Sequence, residues 1–469
     1  MLFNSFHFIF FFIFIAIAFW ISAPKYRWIL LLIASYFFYM SWEPTYIVLI
    51  IFTTLVDYFI CIHLTNSKNK RTSKVGLALS VAQGLGVLFL FKYYDFFQSI
   101  LVSILEKLAI DYTPSHFNIL LPVGISFYTF QALSYSIDVY RGTIEPERHL
   151  GKFALFISFF PQLVAGPIER AKDLLPQLQK NDQKFNPFQF KEGVILFFWG
   201  LFKKVVIADN AGFAVEYIFW KCEFQSGESL LVAMYLFAFQ VYGDFSGYSD
   251  MAVGTSKMLG YELTTNFKQP YFSTSLTDFW RRWHISLSNW FKDYVYIPLG
   301  GNKGSKLKQH RNIILTMFLA GIWHGASWHM ALWGLLNGLL LSIEKLLSFI
   351  KIKKSTFISI LRIFVTFNLY CFSLIVFRSE SVSQSLQVMS KISQITLTDL
   401  RISLFSYKDK SIFTGLILLL LVEILFRNRN ITEITRQKKY IRYTFYIILV
   451  LSIILLGSSS GKEFFYFQF

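Results

Sequence analysis

Charge is scarce in this chain: only 16% of its 469 residues are Asp, Glu, Lys or Arg, where a soluble domain has about 25%. Cysteine is scarcer still. Cys61, Cys222 and Cys371 are an odd number in apolar or mixed surroundings, which excludes a disulfide framework. No CxxC and no paired His/Cys spacing offers a zinc site. No histidine is followed five positions later by aspartate, so the site of the soluble HxxxxD acyltransferases is absent. A Walker loop is missing too. No internal repeat is evident, which argues against a transporter built from repeated halves.

What is present is apolar and aromatic: 54% of residues are hydrophobic, with 54 Phe, 25 Tyr and 11 Trp. Lipid-facing helices and interfacial belts use that many rings; soluble cores do not need them. The apolar runs are continuous rather than alternating. In hydrocarbon only helices and closed barrels satisfy their own backbone, so the fold class is an all-α polytopic membrane protein. The formal net charge of +17 sits in short runs between apolar segments, the pattern of cytoplasmic loops facing anionic lipid. Nucleic acid is therefore not expected as a partner.

Segments able to span, or nearly so, fall at 3–21, 28–40, 46–64, 75–94, 117–139, 153–168, 193–218, 230–258, 312–328, 329–350, 357–377, 411–426 and 443–457. The first lacks the basic flank of a signal peptide and reads as an uncleaved helix. Basic loops at 66–74, 351–354 and 427–442 are placed in the cytoplasm by the positive-inside rule. Six apolar segments separate the second of these loops from the helix at 75–94, and six crossings would leave the loop outside. One of the six must not cross. The candidates are 153–168, which ends in a Pro161/Gly166/Pro167 cluster, and 193–218, interrupted by Lys203 and Lys204. Residues 266–311 contain no spanning run and read as short helices at or dipping into the interface, followed by a Gly300–Gly301 turn.

Two histidines stand out. His284 closes Phe279-Trp280-Arg281-Arg282-Trp283-His284, and His324 lies in Gly321-Ile322-Trp323-His324-Gly325. Imidazole can take and return a proton near neutral pH, and burial keeps it uncharged and basic. Ionisable groups at membrane depth are costly and lean functional; the alternative is a packing histidine bonded to a carbonyl. His329 takes that structural reading. Next to the two histidines lies a dense cationic stretch, of which Arg281, Arg282 and Lys292 are candidate phosphate ligands.

FWRRWHISLSNWFKDYVYIPLGG at 279–301, with GIWHG at 321–325, resembles the membrane-bound O-acyltransferase superfamily. Within it the chain is most similar to the bacterial branch that O-acetylates alginate and peptidoglycan. LPVGISFYTFQALSYSIDVYRG at 121–142, FPQLVAGPIER at 160–170, FKKVVIADN at 202–210 and VYGDFSGYSDMAVG at 241–254 support the likeness. The resemblance implies one acyltransferase domain over 1–469, a ring of about 11–12 transmembrane helices around a central tunnel. It maps the family's two functional histidines onto His284 and His324. It also implies acetyl-CoA, or another cytoplasmic acetyl thioester, as donor substrate with no bound cofactor or metal. A periplasmic SGNH-type partner and a polysaccharide acceptor complete the expected system, in the bacterial cytoplasmic membrane.

The chain ends Phe464-Phe465-Tyr466-Phe467-Gln468-Phe469, after a polar linker. One tyrosine near a helix end would be a belt anchor; five rings in six residues exceed that need. This FxYxxF tail, over 458–469, resembles a terminal motif of the same family in which the tyrosine is proposed as an acyl relay. Tyr466 joins the two histidines as a candidate catalytic residue, on an extracytoplasmic tail. The expected activity is O-acetylation of a surface polysaccharide. D-alanylation of teichoic acid is the alternative within the same chemistry, and a transporter of polysaccharide or lipid-linked sugar the alternative outside it.

Overall fold

The computed structural model describes residues 1–66, 69–113, 121–164, 166–180, 182–350, 355–396, 410–427, 429–458 and 464. All regular structure among them is helical. Six helices are long and apolar enough to cross a membrane: Pro44–Leu64, Lys70–Lys107, Gly227–Met258, Trp328–Leu347, Thr356–Arg378 and Lys439–Leu456. Phe6–Ile21 and Ser411–Leu425 are shorter apolar helices. Rings such as Phe10, Phe14, Phe357 and Phe364 are exposed, as lipid-facing side chains are. The chain is a multi-pass membrane protein.

Contacts divide it into two units. The first holds Met1–Pro187 with Ser256–Thr264, the second Phe188–Thr255 with Thr265–Phe469. Within the first unit, the expected segment at 153–168 breaks into Leu150–Ser158 and Phe160–Leu163, with a non-helical kink at Phe159. Nine residues extend about 14 Å, well under a hydrocarbon core of about 30 Å. Neither piece alone is long enough to cross. Basic residues expected in the loop at 66–74 instead open a helix: Lys70, Arg71 and Lys74 lie in Lys70–Leu88, whose first turn is capped by the Asn69 side chain. That cap overrides the unfavourable meeting of cations with a helix N-terminus. The loop at 351–354 lies outside the described residues.

Within the second unit, 72% of the most apolar stretch of Gly227–Met258 is buried, against 11% for Lys439–Leu456. The former is the unit's core helix and the latter a lipid-facing one. Pro187–Phe202 packs on the core helix through glycines: a Cβ on Gly200 would stand 2.4 Å from the Gly247 carbonyl oxygen. Only hydrogen fits there. The helix then widens to a π turn at Lys203–Ala208 and resumes as Asp209–Trp220. Lys203 and Lys204, expected to interrupt a span, instead turn inward onto acids. Lys203 Nζ meets Asp250 Oδ2 at 2.5 Å, and Lys204 Nζ meets Asp209 and Asp244 at 2.8 and 2.6 Å. Buried charges are tolerated when paired in this way.

Candidate functional site

The stretch expected to lie at the interface folds as two seven-residue helices, Leu276–Arg282 and Ile285–Phe291, followed by a π turn at Lys292–Tyr296. The first is capped twice. Ser275 accepts from the Asp278 amide at 3.0 Å, and Glu344 accepts from the amides of Leu276 and Thr277 at 2.5 and 3.1 Å. His284 is the joint between the helices, with φ 43° and ψ 56°. A non-glycine residue is rarely left-handed, and such strain persists only where the surroundings impose it.

Asn266 imposes it. Its carbonyl accepts from the Ile285 amide at 2.9 Å, and its side-chain oxygen accepts from the Ser286 amide and hydroxyl at 3.1 and 3.0 Å. This buried asparagine caps the second helix from outside it and so sets the direction of the imidazole. Nothing local in the sequence pointed to Asn266. A capping residue twenty positions away leaves no pattern.

His324 is reached differently. Lys306–His324 is capped by Ser305 and ends at the histidine itself, with Gly325 in extended conformation. His324 is thus a helix terminus rather than a residue within a longer apolar span. Trp328–Leu347 returns across it so closely that a Cβ on Gly321 would lie 2.3 Å from the Met330 carbonyl oxygen. The glycine before Ile322-Trp323-His324 is there for that crossing.

Both histidines are buried, at 1% and 5% exposure, and both are walled by rings. His284 lies 4.4 Å from Phe245 and 6.2 Å from Trp323 between ring centroids. His324 lies 5.0 Å from Trp323, 5.2 Å from Trp333 and 5.6 Å from Phe377. The fold therefore brings the two motif histidines to one indole, Trp323. Burial first, and the neighbouring His324 second, hold the His284 pKa well below the ordinary histidine range. His284 is neutral at physiological pH.

A cavity of about 1220 Å³ is lined by Arg281, Lys292, Glu344, Lys345 and Arg362 together with apolar side chains of two long helices. It shares Trp280, Ser288, Lys292 and Tyr296 with a smaller chamber of about 180 Å³ whose lining includes His324 and Trp333. A larger cavity with Arg281, Lys292, Lys345 and Arg362 in its lining thus adjoins a small, mostly apolar space at an imidazole. Arg281 and Lys292 line the larger cavity. Arg282 does not: its Nε donates to Asp278 Oδ1 at 3.0 Å in an i,i+4 pair. His329 sits half-buried with its ring 3.3 Å from the Ser327 hydroxyl, consistent with a structural role. Tyr466 lies outside the described residues. Phe464, two positions before it, is fully buried against Tyr248 at 4.7 Å and Phe245 at 5.6 Å.

Residues 147–387 match the membrane-bound O-acyltransferase family. The chain is 41% identical to a probable alginate O-acetylase of Pseudomonas syringae pv. tomato, over 81% of this chain and 72% of that protein. It is 35% identical to the peptidoglycan O-acetyltransferase of Helicobacter pylori, over 78% and 73% respectively. The teichoic acid D-alanyltransferase of Bacillus subtilis is 29% identical over 57% of this chain and 71% of its own length. Two histidine motifs packed on one tryptophan, a cavity with basic lining adjoining the chamber at one of them, and this extent of likeness have a single explanation. The chain is an O-acyltransferase and belongs to the membrane-bound O-acyltransferase family.

Proposed function

We propose that this protein takes acetyl from cytoplasmic acetyl-CoA and passes it through the membrane for O-acetylation of a cell-surface polysaccharide of the alginate or peptidoglycan kind. The observation that carries the reading is the cavity with Arg281 and Lys292 in its lining that adjoins the chamber at His324. Arg281 and Lys292 are suited to the donor's phosphates, and the chamber to its uncharged acetyl end. A D-alanyl group bears an ammonium, and the chamber lining offers Lys292 and no carboxylate to meet it. Acetyl suits that lining better.

In the reaction, an acceptor hydroxyl attacks the thioester carbonyl, His324 takes the hydroxyl proton, the C–O bond forms and the C–S bond breaks. The proton then passes to the departing thiolate, so no net proton is produced. His284, neutral and adjacent, orients the thioester or its oxyanion.

Tyr466 is the first acceptor in this proposal. A phenol has a pKa near 10, against about 15.7 for water, so acetyl-tyrosine is an activated ester that passes its group downhill to an aliphatic hydroxyl. Phe464, buried beside the ring that packs on His284, supports this placing. Two residues reach at most about 7 Å further. The positive-inside rule at 427–442 places the tail on the outer side, where an SGNH-type partner would complete transfer to polymer.

Two measurements test the reading. Purified protein given radiolabelled acetyl-CoA should become labelled, and Tyr466→Phe should not. Cells carrying Tyr466→Phe should insert the protein normally yet leave polymer unacetylated. Wild-type acetylation by that variant would return the tail to an anchoring role. An unlabelled wild-type protein that neither binds nor hydrolyses acetyl-CoA would overturn the donor assignment.

A further inference from the structure

Two stretches of the second unit do not line the chamber at His324, although Phe245 of the second packs on His284: FKKVVIADN at 202–210 and VYGDFSGYSDMAVG at 241–254. Both converge on the end of the chain. Where the last helix, Lys439–Leu456, runs out, Asn210 Nδ2 donates to the Leu456 carbonyl at 2.8 Å, while also donating to Val206 O at 2.9 Å. Two residues on, the Ser458 amide donates to the Val205 carbonyl at 2.9 Å. The acceptor lies in the π turn Lys203–Ala208, and such turns within α-helices recur at functional sites. The root of the tail is therefore held by one backbone carbonyl of that turn and by one side chain from the start of the helix that follows it.

That turn is itself rigidly placed. Lys204 is clamped between Asp209 and Asp244, and Lys203 is bound to Asp250, all in the interior. Lys204 Nζ also stands 5.5 Å over the ring of Tyr248. Asp244, Tyr248 and Asp250 share the core helix with Phe245, so the ion pairs fix the rings of 245 and 248 relative to the turn. Those rings receive Phe464. Phe464 is six residues on from Ser458, a reach of at most about 22 Å.

We propose that the π turn Lys203–Ala208 with Asn210 just after it, and the rings of Phe245 and Tyr248, form a two-point seat for the chain's own aromatic tail, and that Asn210 is a positioning residue for acyl transfer. The root is held at Leu456 and Ser458, and the first aromatic side chain at Phe464, against the Phe245 ring that packs on His284. The buried lysine–aspartate cluster acts as the frame of this seat. This inference rests on the relay reading for its consequence in transfer, but not for its geometry.

The seat is tested in membranes containing the full-length protein, with p-benzoylphenylalanine incorporated at position 464. Photolysis should join it to the peptide containing Phe245 and Tyr248. Asn210→Ala should reduce that cross-link to background. The same substitution in the natural tail should slow acetyl transfer to polymer about ten- to a hundredfold through misplacement, with KM for acetyl-CoA unchanged. Absence of the cross-link in the parent protein, or undiminished cross-linking and transfer in Asn210→Ala, overturns the seat.

A second pair guards against a folding defect in that variant. Phe464→Ala should lose transfer while still binding radiolabelled acetyl-CoA, and Phe464→Tyr should retain transfer; equal transfer by both overturns the seat. If Tyr466→Phe acetylates polymer normally while the Asn210-dependent cross-link persists, the relay falls and the seat stands.

Discussion

The second unit buries two polar clusters, and they are built in opposite ways. At Lys203, Lys204, Asp209, Asp244 and Asp250 every charge meets an opposite one within 3 Å. At His284 and His324 the neighbours are Phe245, Phe267, Trp323, Trp333 and Phe377. Charges in low dielectric are stable only when compensated, and compensation makes them inert. An imidazole among rings stays neutral and keeps its basicity for a substrate. The contrast separates a frame from a reaction site within a single fold.

The strongest way to sharpen that contrast is to remove one group from each side. His324→Ala should lower acetyl transfer by about two to four orders of magnitude while thermal unfolding in detergent stays near that of the parent protein. Near-normal acetylation by a well-expressed variant would strip the chamber of its reactive role. Lys204→Met should do the converse. It leaves Asp209 and Asp244 buried without their cation, a loss of about 3–5 kcal/mol in stability, read from denaturant unfolding in detergent. Unchanged stability would mean that the cluster is not a frame.

Smaller effects are expected along the donor route. Arg281→Ala should raise KM for acetyl-CoA about tenfold, the worth of one hydrogen bond to a charged group, and leave kcat alone. Arg282→Ala should change KM less, because that guanidinium is tied to Asp278 and does not border the cavity. Equal effects would erase the distinction between them.

The least change is expected in the pH profile. Because the His284 pKa is held low by burial and by His324, its neutral form persists as pH falls through the ordinary value near 6.5. Any acid limb that disappears in His284→Gln should therefore lie below that value. The linked stability effect has a definite sign. Below about pH 6.5 the unfolded chain takes up a proton that the folded chain refuses, so this histidine makes stability fall as pH drops. A limb at or above 6.5 assigned to His284 would break the comparison with the charged cluster.

Much of the site was legible in the sequence because its motifs are local. Trp-Arg-Arg-Trp-His and Gly-Ile-Trp-His-Gly place rings and small residues beside each imidazole within a few positions. Arg281 and Lys292 followed from their nearness in the chain to His284, but so did Arg282, and only side-chain pairing separated them. The lysines at 203 and 204 were visible as charges in an apolar run. Their partners were not, since Asp244 and Asp250 lie forty or more residues away on another helix and look like ordinary polar punctuation. Phe245, Tyr248 and Asn266 gave no signal, each working through a contact made only on folding.

By itself the sequence determined the class of the protein. Continuous apolar runs demand a solvent of lipid and a backbone in lipid demands helices, while the histidine motifs pointed to an acyl-transfer family by resemblance. The broken segment at 153–168 was also foreshadowed by its proline and glycine cluster. Tertiary structure alone decided the rest: that His284 takes a left-handed joint held by Asn266, that one tryptophan touches both imidazoles, that buried charges cancel, and that Phe464 returns to the core helix. Backbone preference and hydropathy are properties of neighbours along the chain. Compensation of charge and the aim of a strained residue depend on groups brought from far apart, and exist only once the helices have packed.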